Sequence, residues 1–159
     1  GVPTLSLFQC PATACNQGVA NEHFPTRDAL TDICYLPYSG GNGDQDWNLV
    51  LNYANNEVGF VRGQWLDGTH TSQTCGGAGA PVTSGVPTLS LFQCPATFCN
   101  QGVANQHLPT RDALTDICYL PYSGGNGDQD WNLVLNYANN EVGFVRGQWL
   151  EGTHTNQTC

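Results

Sequence analysis

The sequence predicts an all-β protein made of two copies of one small domain, and three observations carry that reading. Residues 1–75 recur as residues 85–159 at a fixed offset of 84, with five differences: Ala14/Phe98, Glu22/Gln106, Phe24/Leu108, Asp67/Glu151 and Ser72/Asn156. No 11-residue window sustains the 3.6-residue period of an amphipathic helix, whereas short runs of β-branched and aromatic residues recur between Gly, Pro and Asn. Each copy carries four cysteines, the kind of staple that a 75-residue unit needs when its core is small.

Within a copy the elements follow in order. A first strand fits "TLSLF" at 4–8, where Leu5 and Leu7 alternate with polar neighbours. A long loop covers 9–27. "DALTDICYL" at 28–36 has strand composition and lies between Pro25 and Pro37. A Gly-rich loop at 37–46 leads to "WNLVLNYANNEVGFVRGQWL" at 47–66, which reads as a hairpin around a two-residue Asn55-Asn56 turn, since Asn tolerates positive φ. About five short strands per copy result. Between the copies, "GGAGAPVTS" at 76–84 has no apolar periodicity and reads as a flexible linker spanning roughly 15–18 Å. The expected organisation is a domain at 1–75, a tether at 76–84 and a second domain at 85–159. Two copies are too few for a solenoid, so each domain is expected to fold by itself.

The cysteines and the charge bound the setting. Even cysteine counts without paired CxxC arms suggest disulfides in a secreted protein rather than a zinc site. Four cysteines allow three pairings; the favoured one joins Cys10 to Cys15 and Cys34 to Cys75, and by repetition Cys94 to Cys99 and Cys118 to Cys159. By loop entropy the short and long bridges contribute roughly 2 and 4 kcal/mol. Four arginines and no lysine stand against 13 acidic residues, for a net charge of −9. That balance argues against nucleic acid and anionic membranes as partners, both of which attract clustered Lys and Arg. No run of apolar residues is long enough to insert into a membrane, and a secretory signal, if one is used, is expected to have been removed ahead of Gly1.

In "WNLVLNYANNEVGFVRGQWL" a Trp opens a strand, a tight hairpin follows, and "GFV" leads through a short turn to an aromatic and an aliphatic residue. This resembles the signature of bacterial SH3-like domains, with "LFQCPATAC" and "TDICYL" standing where that family has its first long loop and second strand. The resemblance implies two small five-stranded barrels, each with two disulfides, generally non-catalytic and used outside bacterial cells to bind wall peptides or other surface ligands. It also implies that Trp47 and Trp65 border a ligand groove.

Aromatic faces edged by polar groups suit such a site. The candidates are Trp47, Trp65 and Tyr38 with Asp44, Asp46, Arg62 and Gln64, and in the second copy Trp131, Trp149, Tyr122, Asp128, Asp130, Arg146 and Gln148. Trp65 is expected to be more of a core residue than Trp47, which follows a polar loop. Asn42, Asp44 and Asp46 are spaced like the start of a calcium loop, but no Gly stands at the sixth position and Tyr53 occupies the twelfth, so no metal site and no cofactor is expected. His23 and His70 lie in no catalytic signature, and His70 reads as a solvated loop residue, so no enzyme is expected. Asn156 opens the glycosylation sequon "NQT", absent from the first copy. The expectation is a secreted, bivalent carbohydrate-binding protein acting on cell-surface glycans or bacterial wall polymers. The alternative is an extracellular peptide-interaction module, such as an inhibitor or adaptor.

Overall fold

The structure is a computed structural model that describes residues 5–13, 15, 30–38, 41, 43–53, 55–77, 79–87, 89–99, 114–122, 127–136 and 140–159. The chain divides into two compact units, Gly1–Gly77 and Ala78–Cys159. Both are all-β, and all eight cysteines are bridged in the favoured pattern: Cys10–Cys15, Cys34–Cys75, Cys94–Cys99 and Cys118–Cys159.

Unit 1 is a three-stranded antiparallel meander of β1 (Leu30–Leu36), β2 (Trp47–Asn52) and β3 (Glu57–Arg62), in the order β1-β2-β3. β2 is central and buried along its whole length, which explains why "WNLVLN" does not alternate cleanly. A bulge between Asp32 and Cys34 breaks the β1–β2 register and leaves Ile33 outside the pairing. Leu5, Leu7, Val50 and Val61 form the core, with Leu30, Trp65 and Leu66 packed on it. The segment carrying Leu7 and Phe8 crosses β3 at Gly59, where a Cβ would lie 2.6 Å from Leu7 Cβ; only glycine admits that approach. Beyond it, the tail returns alongside β1: Tyr35 N donates to Gln73 O at 3.0 Å and Cys75 N to Tyr35 O at 2.9 Å, so the Cys34–Cys75 bridge locks a pairing already made by the backbone.

Unit 2 repeats the meander as β5 (Leu114–Leu120), β6 (Trp131–Asn136) and β7 (Glu141–Arg146), then adds two strands, β4 (Ala80–Ser84) and β8 (Leu150–Glu151). Its sheet order is β7-β6-β5-β4-β8. β4 pairs Ala80, Pro81 and Val82 with Asp116, Thr115 and Leu114, and then Thr83 and Ser84 with Glu151 and Leu150. Val82 enters the core with Leu89, Leu91, Leu114, Val134, Val145 and Leu150.

Four expectations are thereby corrected. Residues 80–84 are a strand rather than part of a free tether, because β5 offers an edge and Val82 an apolar side chain to bury. In the first segment, residue 4 lies outside the described residues, and "LSLF" makes only bridges, Phe8 exchanging hydrogen bonds with Phe60 at 3.1 and 2.7 Å, while Leu5, Leu7 and Phe8 are all buried. The hairpin connection is four residues, Tyr53–Asn56, because pairing ends at Asn52 and Glu57; Asn56 takes the expected positive φ of 59°, and its N–H closes on Asn52 O at 2.7 Å. β3 stops at Arg62 and Gly63–Trp65 makes the short turn expected after "GFV", as a 3₁₀ helix, but among the described residues the sheet of unit 1 has three strands rather than about five. The expected second strand starts at Leu30, residues 28–29 lying outside the described residues, as does most of the expected loop at 9–27. Among the described residues the strands form a three-stranded sheet in one unit and a five-stranded sheet in the other, one strand of the latter coming from the inter-repeat segment.

Candidate functional site

The aromatic residues meet at one end of the hairpin. Trp47 opens β2 and stands directly across from Arg62 at the end of β3, and this cross-strand pairing sets the Arg62 guanidinium 4.5 Å above the Trp47 ring. The 3₁₀ turn that follows swings Trp65 edge-on to Trp47, with centroids 6.0 Å apart and planes at 88°; Phe8 completes the cluster 6.2 Å from Trp47 and 6.4 Å from Trp65. Unit 2 repeats this with Phe92, Trp131, Trp149 and Arg146, at the same 6.2, 6.0 and 6.4 Å spacings and with the guanidinium again 4.5 Å from the ring.

A buried carboxylate builds the neighbouring loop. Asp46 is 1% exposed and accepts hydrogen bonds from the backbone N–H groups of Tyr38 and Gly43, while its own carbonyl accepts from Gly63 N at 2.9 Å. Asp44 O accepts from Gln64 N at 3.0 Å, and Arg62 Nη1 donates to Gln45 O at 2.6 Å. The loop is therefore tied both to the end of β3 and to the 3₁₀ turn. Tyr38, tied to it through its backbone N–H, is 73% exposed, and Asp44, Gln45 and Gln64 are exposed as well. Asp130, Tyr122, Gly127, Gln129, Asp128, Gln148 and Arg146 repeat these contacts in unit 2.

The structure thus sorts the residues predicted from sequence. Tyr38, Asp44 and Gln64, with Tyr122, Asp128 and Gln148, face solvent; Arg62, Arg146, Trp65 and Trp149 are half-buried. Asp46 and Asp130 are turned inward, their carboxylates held by loop amides, and so offer nothing to a ligand. The two tryptophans reverse their expected order: Trp47 and Trp131, at 6% and 7% exposed, are core, because opening a central strand under an arginine leaves no free face.

Sequence reasoning missed an acid–imidazole neighbourhood. His70 is half-buried, its Cε1 lying 3.1 Å from where a Gly63 Cβ would stand. Asp32 accepts from Thr71 N at 2.9 Å; burial raises its carboxyl above the ordinary range, opposed by that N–H and by the charge of His70. Its counterpart Asp116 is fully buried, accepts from Thr155 N at 3.0 Å and is pushed up to about 7 by burial. The signal was an Asp in the middle of an apolar strand, "LTDICYL". Phe98 was also passed over: it is 90% exposed on the Cys94–Cys99 loop, at one of the five positions where the copies differ. His23 lies outside the described residues. Among the described residues no group of His, Cys, Asp and Glu is arranged to hold a metal, and no helix is long and apolar enough to cross a membrane.

Compared with known proteins, the chain matches no family model, and no curated protein or solved structure is significantly similar to it.

Proposed function

We propose that the chain is a secreted, non-catalytic, bivalent carbohydrate-binding protein, lectin-like or wall-binding, in which each unit is an SH3-like module carrying one site. The observation that carries this reading is the exposed polar and aromatic surface of one loop and the turn it is tied to: Tyr38, whose backbone N–H is held by buried Asp46, and the exposed side chains of Asp44, Gln45 and Gln64. A ring stacks on the C–H face of a sugar while nearby polar groups bond hydroxyls, and holding the backbone that carries the ring lowers part of the entropy lost on binding. Four disulfides suit an extracellular setting. The short turn from "GFV" to Trp65 and Leu66 supports the SH3-like reading. Two equal surfaces on one chain gain avidity on repeated ligands, roughly 10²- to 10⁴-fold.

A glycan array tests the proposal, followed by Tyr38→Ala and Tyr122→Ala. Ordered preference among sugars is expected, with each single change halving the stoichiometry and the double change abolishing binding. Losing a stacking anchor is worth about 2 kcal/mol, more than tenfold per site. An array without preference, together with retention of an extracellular peptide, would move the reading to a peptide-interaction module.

A further inference from the structure

Residues 156–158, Asn-Gln-Thr, are the only Asn-x-Ser/Thr triplet in the sequence, and in the first copy the same places read Ser72, Gln73 and Thr74. The triplet lies on the segment that returns beside β5. Thr155 is buried and its N–H donates to Asp116 Oδ2 at 3.0 Å, which pins the segment just ahead of the triplet, whereas Asn156, Gln157 and Thr158 are all exposed. Tyr119 N then donates to Gln157 O at 2.9 Å, Cys159 N donates to Tyr119 O at 2.9 Å, and Cys159 is bridged to Cys118. Unit 1 lays its own segment against Tyr35 in the same way, and Ser72 is exposed there. At one exposed place in a matching backbone, the second copy thus offers a side-chain amide where the first offers a hydroxyl.

We propose that Asn156 is an N-glycosylation site, used before the Cys118–Cys159 bridge closes, so that the chain carries one glycan and carries it on unit 2. The inference rests on the secreted setting of the reading above and not on its sugar binding. The donor is an oligosaccharide linked through pyrophosphate to a lipid, presented by the transferase of a secretory pathway. Asn156 Nδ2 attacks the anomeric carbon of that oligosaccharide. The N–C bond forms, the bond from the same carbon to the pyrophosphate oxygen breaks, the lipid pyrophosphate leaves with the electron pair, and the transferase takes one amide proton. Thr158 supplies the hydroxyl that such a transferase requires two residues beyond the amide. An acceptor has to enter the enzyme with its backbone unpaired, and in the folded unit Gln157 and Cys159 are both hydrogen-bonded to Tyr119, so transfer precedes that pairing. Once folded, unit 2 accommodates the glycan because Asn156 is exposed and Thr155 is the residue that is buried.

The test directs the full chain into the secretory pathway of a eukaryotic cell with an added signal sequence and weighs the chain from medium and cells together, before and after an amidase that removes N-linked glycans. One glycan per chain is expected. Asn156→Gln should abolish it, and Ser72→Asn, which gives unit 1 the same triplet on the same backbone, should add a second. A second arm offers the purified, unglycosylated chain to the transferase with its lipid-linked donor. The reduced, unfolded chain should accept the glycan, and the oxidised, folded chain should do so on the order of tenfold more slowly or not at all, because transfer then waits for local opening. A chain left unmodified at Asn156 in the cell overturns the proposal, as does equal transfer to the folded and the reduced chain. A chain glycosylated at Asn156 that shows no preference on a glycan array keeps this proposal and removes the sugar-binding one.

Discussion

Strands Leu30–Leu36 and Leu114–Leu120 have the same sequence, the same bulge and the same partner strand, yet one is half-open and the other closed. At seven identical positions the unit 1 residue is half-buried and its unit 2 counterpart is buried: Cys10 and, on or near this strand, Leu30, Thr31, Asp32, Ile33, Leu66 and Thr71. None of the five sequence differences falls on these positions. What differs is β4, whose five residues cover the outer edge of β5. Burial, and with it the protonation of a carboxyl, is here a property of the neighbour rather than of the residue: Asp32 and Asp116 sit in the same heptapeptide, and the covered one is pushed up to about 7.

The largest effect should come from a feature the units share. Replacing Cys34 and Cys75 by Ser opens a bridge spanning 41 residues and should cost unit 1 about 4 kcal/mol. In a chemical denaturation followed by amide signals from both units, the unit 1 transition is expected to move to lower denaturant while that of unit 2 stays. The matching Cys118→Ser, Cys159→Ser pair should do the reverse. A single concerted transition in both variants would show that the units do not unfold separately.

Next comes the strand that separates the units. Val82→Asp buries a charge among Leu114, Leu150 and Val134 and should cost unit 2 roughly 3 kcal/mol, bringing its edge to the open state of unit 1. Unit 1 should not respond. If Val82→Asp left the exchange of Leu114–Asp116 unchanged, β4 would not be what closes the edge.

The pH effect is smaller. Asp116 has a folded value of about 7, above its ordinary 3.8, so folding favours its protonated form. The stabilising contribution is complete below about 4 and is lost as pH rises through 7, at no more than about 1.4 kcal/mol per pH unit for one group. Unit 2 is therefore expected to be more stable at pH 5 than at pH 7.5, and Asp116→Asn should flatten that dependence. Asp32 acts with the same sign. A unit 2 that gained stability as pH rose over this range would contradict the buried carboxyl.

Much of this architecture was legible in the residues. The repeat fixed the duplication, the "WNLVLN" and "EVGFVR" runs gave the hairpin, and the cysteine spacing favoured the observed bridges, because all three are local or countable. β4 was hidden because "APVTS" is short, carries a proline and lies in Gly-rich surroundings; its strand character comes from an edge more than 30 residues away. The site was half legible for a related reason. Composition marks Trp, Tyr and Asp as candidates, but whether Trp47 faces solvent depends on Arg62 across the sheet, and the role of Asp46 depends on amides that converge only once the loop has folded. Tyr38 was identifiable as a candidate, though not as the exposed aromatic residue of the group.

β4 closes the edge of unit 2, while the edge of identical sequence in unit 1 is more open. Amide exchange of the intact chain at near-neutral pH, resolved at Leu30–Asp32 and Leu114–Asp116, tests it most directly. Identical sequence gives both segments the same intrinsic exchange rates, so any difference in protection reports the fold alone. The outer amides of Leu114–Asp116 are predicted to be protected, with those of Leu30–Asp32 exchanging markedly faster and the β2 and β6 amides behaving alike. Equal protection of the two edges would show that β4 does not close the edge of unit 2.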